Sequence, residues 1–115
     1  MFVSHIDDIE KKELQGDAIK GVTKQVLIGE KEGWKDYVMR RFSLDIGGYA
    51  PYHSHPWPHI TYVLEGEGSL HLDGKEYPLT VGSTSFVPSA SVHQIKANAD
   101  SHLVFLCIVP PKGDV

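Results

Sequence analysis

No stretch of the chain repeats its apolar residues at a helical period over a useful length. What recurs instead is short runs rich in β-branched and aromatic residues, each closed by glycine, proline or a polar pair. Such a chain has no helix stripe to bury, so its core must come from sheet faces. The runs are Val22 to Ile28, Tyr37 to Ile46, His59 to Leu64, Ser69 to Leu72, Lys75 to Leu79, Ser83 to Val87, Ser91 to Ala97 and His102 to Val109. Between them lie Gly29 with the charged turn Glu30 to Gly33, the bend Gly47-Gly48, the pair Val81-Gly82, and Asn98 to Asp100. Asp73-Gly74 between two strand-like runs predicts a hairpin, because a type I′ turn needs the positive φ that Asp and Gly tolerate. Short strands at this spacing predict an all-β sandwich or barrel, with no internal repeat and no linker.

A chain of 115 residues is expected to form a single domain, residues 1–115, large enough for one modest core. Its formal charge of −4 and the lack of a dense Lys/Arg block argue against nucleic acid or an anionic membrane as the main partner. Small molecules are the expected partners. One cysteine, Cys107, excludes an internal disulfide and fits a reducing compartment. With no secretory pattern in Met1 to Gln15 and no apolar run long enough to span a bilayer, the expected location is cytoplasmic.

The chemistry concentrates in Tyr52 to Gly68, where His53, His55 and His59 fall within seven residues. Histidine is the commonest metal ligand and binds as the neutral imidazole. In an extended strand His53 and His55 project from one face. Pro56 and Pro58 lack backbone donors, so the chain must turn around Trp57 before His59 opens the next strand. Two strands meeting at such a corner can aim three imidazoles at one point. On the strand from His59, Thr61 and Val63 share the histidine's face, while Ile60, Tyr62 and Leu64 point away. The stretch Gly82 to Ile95 holds a further candidate, His93, which spacing alone does not connect to the others.

These residues resemble the two motifs of the cupin superfamily. Gly47, His53, His55 and Gly66 fit the first motif, with His59 standing where Glu is usual; Gly82, Pro88 and His93 fit the second, with Ala90 in place of its Gly and Ala97 in place of its Asn. The resemblance implies a double-stranded β-helix, the jelly-roll barrel, and a metal held by His53, His55, His59 and His93. The Glu-to-His exchange makes the site similar to that of the small four-histidine manganese cupins of thermophilic bacteria. That implies one divalent metal per chain, manganese first, with iron, copper, nickel or zinc as alternatives. It further implies that residues 1–20 form an N-terminal arm that pairs with a partner subunit in a homodimer, and that Phe105 and Cys107 lie on the lumen side.

Four neutral imidazoles leave the full +2 charge of the ion uncompensated, which strengthens it as a Lewis acid and as a binder of anions. A six-coordinate ion would keep two positions for a guest, whereas a tetrahedral zinc would be closed. Around the metal the expected pocket residues are Tyr52 and Trp57 at the mouth, Ile60, and Phe42, Phe105 and Cys107 deeper. Arg40 alternates with Val38, Phe42 and Leu44 on one face of its strand, where it either meets an anion or lies at a rim. Cys107 is either a buried inert thiol or an oxidisable one. His5, His71 and His102 read as ordinary surface or hydrogen-bonded residues. Together these features predict a metal-dependent oxidoreductase of the dioxygenase type acting on a small apolar or aromatic substrate. The alternative is a non-catalytic ligand-binding or sensor protein, and after that a sugar or keto-acid isomerase, which would want a base beside the metal.

Overall fold

The computed structural model describes residues 1–114. Its strands are β1 (Lys12–Leu14), β2 (Lys20–Ile28), β3 (Val38–Tyr49), β4 (His59–Gly66), β5 (Gly68–Leu72), β6 (Lys75–Leu79), β7 (Thr84–Val87), β8 (His93–Ala97) and β9 (Leu103–Val109). Three single 3-10 turns, at Ile6–Asp8, Glu30–Glu32 and Pro111–Gly113, are the only helical segments among the described residues. None of them is long and apolar enough to cross a membrane.

The strands pair antiparallel in the order β6-β5-β8-β3-β9-β4-β7, with β2 added along β3 and β1 along β2. β3 is the strand that lets the sheet curl. Its first half lies between β2 and β9, while its end, at Tyr49, pairs with Lys96 of β8. Gly47 and Gly48, expected to bend the chain before the histidines, instead bend β3 from within. Gly47 takes a φ of 70°, a conformation costly for any side chain with a Cβ. The result is the jelly-roll barrel that the motifs implied.

Alternation decides which residues fill it. Val38, Arg40 and Leu44 of β3, His59, Thr61 and Val63 of β4, and Leu103, Phe105, Cys107 and Val109 of β9 are all buried, as the period-2 pattern requires. Leu44, Val63, Val87 and Leu103 are almost completely enclosed. Gly66 ends β4 at φ 80°, and a Cβ there would collide with the carbonyl of His102, so the crossing of β4 over the start of β9 needs glycine. Asp73 and Gly74 both take positive φ at the β5–β6 turn, as the hairpin demands.

β1 pairs with β2 in the register Lys12↔Lys24 to Leu14↔Val22, and the buried amide of Gln25 donates to the carbonyls of Ile6 (3.1 Å) and Ile9 (3.0 Å).

Candidate functional site

His53 and His55 do not lie on a continuous strand, contrary to the expectation of an extended histidine run. The segment from Ala50 to Pro58 is a loop, because its three prolines remove the donors a ladder needs. One bridge ties it down. His53 and His93 exchange both backbone hydrogen bonds, N to O at 3.0 and 2.9 Å, and form an isolated antiparallel pair. Directly opposite residues of such a pair present their side chains on the same face. This bridge is what brings the distant His93 to the motif at His53. His59 arrives from the start of β4, held in register against Val87 of β7.

The ligand atoms of His53, His55 and His93 lie within 4.8 Å of one another. His59 is not one of that group of three, but its Nε2 stands 3.1 Å from Nε2 of His93. The outer ring nitrogens are tied down. Nδ1 of His55 lies 2.9 Å from the carbonyl oxygen of Trp57, and Nδ1 of His93 lies 2.9 Å from that of Ser91. A carbonyl can only accept, so both Nδ1 atoms carry the proton and both Nε2 lone pairs are free for the cluster. Nδ1 of His59 meets Sγ of Cys107 at 3.3 Å. The ring of Trp57 stacks on His55 with centroids 4.6 Å apart and fixes its plane.

Burial deepens from mouth to floor. His53 is exposed, His55 half-buried, and His59 and His93 buried. Desolvation, then the neighbouring imidazoles, lowers the pKa of His53. The same causes in the same order, joined by the Arg40 guanidinium, bring His59 from 6.5 down to about 3. For His93, too, burial is the main cause of a lowered pKa, partly opposed by its bond to the Ser91 carbonyl. Neutral imidazoles with convergent lone pairs are the donor set a borderline divalent ion takes. Two nitrogens about 2.0–2.2 Å from one ion stand about 3 Å apart when they bind at right angles, so the His59–His93 separation fits.

The histidines open into a cavity of about 310 Å³. Arg40, Phe42, Trp57, Phe105 and Cys107 line it. Phe42 and Phe105, directly opposite on the paired strands β3 and β9, stack on each other along its wall with centroids 5.5 Å apart. Tyr52 and Ile60 are corrections. Tyr52 is exposed and packs its ring against His71, because the loop turns it away from His53. Ile60 faces outward beside Phe86 and Ile108, as its alternation with His59 dictates.

Two charged residues escaped the sequence reading. Lys24 and Asp114 form an ion pair at 2.9 Å with the lysine almost wholly buried, and Asp114 also lies 3.7 Å from Nη1 of Arg40. Lys24 follows Val22 by two residues on one face of β2, the same apolar–basic alternation that drew notice to Arg40. Nothing in the sequence pointed to Asp114. Ala90, which stands where the second motif has Gly, keeps a glycine-like φ of 66°, and its amide donates to the carbonyl of His55 at 2.8 Å. The loop thus holds the ligand segment at a backbone cost of about 1 kcal/mol or more.

The profile of the family described as Cupin domain matches residues 40–109. An oxalate-binding protein of Thermotoga maritima is 30% identical over 93 residues, 78% of this chain and 77% of that protein. A 1-methylthio-D-xylulose 5-phosphate methylsulfurylase of Rhodospirillum rubrum is 28% identical over 109 residues, 95% of this chain and 69% of that one. Among solved structures, the polyketide cyclase RemF from Streptomyces resistomycificus superposes with a TM-score of 0.89 at 28% identity, covering 96% of this chain and 79% of its own.

Proposed function

Because the chain belongs to the Cupin domain family, we propose that it is a metal-dependent cupin whose His53, His55, His59 and His93 hold one divalent ion, manganese by its likeness to four-histidine cupins. We propose further that it is an oxidoreductase of the dioxygenase type acting on a small, largely apolar or aromatic substrate. The observation that carries the metal reading is the 3.1 Å approach of two Nε2 atoms, one of them on a ring whose Nδ1–H is committed to a backbone carbonyl. A bound ion would supply Lewis acidity and a place for an oxygen-bearing guest.

The chain's own residues would do the rest. Phe42 and Phe105 offer flat apolar faces to an aromatic body, and Trp57 walls the side next to His55. Backbone carbonyls of Trp57 and Ser91 keep two imidazoles aimed.

One observation favours a second reading, a ligand-binding protein without catalysis. No carboxylate lines the cavity among the described residues, so no carboxylate base stands beside the histidines proposed as ligands. Similarity to an oxalate-binding protein points the same way. The base that an isomerase would want is missing on the same count. Dioxygen consumption by the manganese-loaded protein with aromatic enols and alkenes separates the readings. Substrate-dependent uptake is expected of the oxidoreductase; tight binding across the panel with no uptake would favour the binder.

The reading includes a homodimer. Ile60, Tyr62 and Phe86 leave an apolar row exposed on the outer sheet face. Sedimentation is expected to give twice the chain mass, and a monomer at micromolar concentration would remove the dimer.

A further inference from the structure

Lys24 and Arg40 are both buried, at 8% and 6% exposure, and among the described residues they share a single carboxylate. Asp114 gives that carboxylate mainly to Lys24, at 2.9 Å, and stands 3.7 Å from Arg40 through the same oxygen, Oδ1. The remaining partners of the guanidinium are uncharged. Nη2 donates to Sγ of Cys107 at 3.1 Å, Nη1 reaches the carbonyl of Gly113 only at 3.5 Å, and Cζ lies 4.9 Å from the Phe42 centroid. Nε is buried and has no hydrogen-bond partner among the described residues. A buried cation in so apolar a place lacks part of the hydrogen bonding it would find in water. Arg40 nonetheless lines the same cavity as the four histidines, and among the described residues no Asp or Glu lines it.

We propose that the physiological ligand is an anion, a small aromatic or apolar carboxylate, whose carboxylate is paired by Arg40 while its body rests against the stacked pair of Phe42 and Phe105. This deepens the metal reading and rests on it for the ligand's other end, which would reach the histidines through an oxygen atom. Three features of the site support the choice. Guanidinium is the side chain best matched to a planar carboxylate, through two parallel N–H donors. The stacked phenyl pair selects a flat apolar body over a sugar. Among the described residues two buried cations face one carboxylate, an excess that a negatively charged guest offsets and a neutral guest does not.

The test is calorimetric titration of benzoate and phenylacetate, each against its carboxamide, at constant ionic strength, on metal-free and manganese-loaded protein. In the wild type each carboxylate is expected to bind about 10-fold or more tightly than its amide. Arg40→Met should bring the carboxylate down to the level of the amide and leave the amide within about 3-fold, while Arg40→Lys keeps part of the preference. Both variants leave Asp114 on Lys24, so no acid is stranded, and near-ultraviolet circular dichroism reports whether packing is kept. Equal binding of acid and amide by the wild type would overturn the proposal, as would a preference that survives Arg40→Met, or no carboxylate binding in either form. The metal reading fails separately. If manganese does not bind at all and the Arg40-dependent preference persists in metal-free protein, the anion site stands and the histidine centre falls.

Discussion

Replacing His93 by alanine is expected to lower divalent-metal affinity by more than about 100-fold, since the loss of groups that merely orient a ligand already costs about 10–100-fold. The wild type should carry one equivalent of ion per chain by plasma spectrometry, and the variant close to none after the same dialysis. The fold should survive, because the bridge between residues 53 and 93 is made by backbone atoms that alanine retains. His93 is 3% exposed, so its removal opens a void without exposing a strand edge. His71→Ala and His102→Ala serve as controls. The His71 ring packs on Tyr52, and His102 pairs with Glu65 at 3.2 Å, both outside the cavity. Full metal occupancy in His93→Ala would refute the centre, and equal loss in the His71 variant would reduce the effect to general destabilisation.

What could be read without coordinates follows from which physics is local. Strand alternation depends only on neighbours two apart, so the buried face of His59, Thr61 and Val63 and the outward turn of Tyr62 could be read directly. The Asp73-Gly74 turn is likewise decided by two residues. The path of His53 and His55 was not legible, because Pro51, Pro56 and Pro58 break the ladder and a single long-range bridge to His93 then sets where the loop lies. Tyr52 was misplaced for the same reason. With no strand to impose parity, its side chain follows the loop and reaches His71. The pairing of Lys24 with Asp114 spans ninety positions, and sequence pattern carries no information about such a contact.

The metal-free protein is expected to lose stability steeply on mild acidification, and His59 should be the main cause. Its pKa is lowered from 6.5 to about 3, first by burial and then by the neighbouring imidazoles of His93 and His55 and the guanidinium of Arg40. The folded state therefore binds fewer protons than the unfolded one throughout that interval, so unfolding takes up protons and stability falls as pH falls. The contribution is fully present above 6.5, where both states are neutral, and shrinks from there down to about 3. Between pH 6.5 and about pH 5 this one ring removes roughly 2 kcal/mol, a window chosen above the carboxylate range of about 3.9–4.3. His53 and His93, lowered in the same direction by the same burial, add to the slope. Urea denaturation of chelator-treated protein at several pH values measures it, and His59→Gln should flatten the curve across the window. A wild-type curve that is level, or that rises toward pH 5, would mean that these imidazoles are not held neutral by burial, and the argument that they stand ready as ligands would go with it.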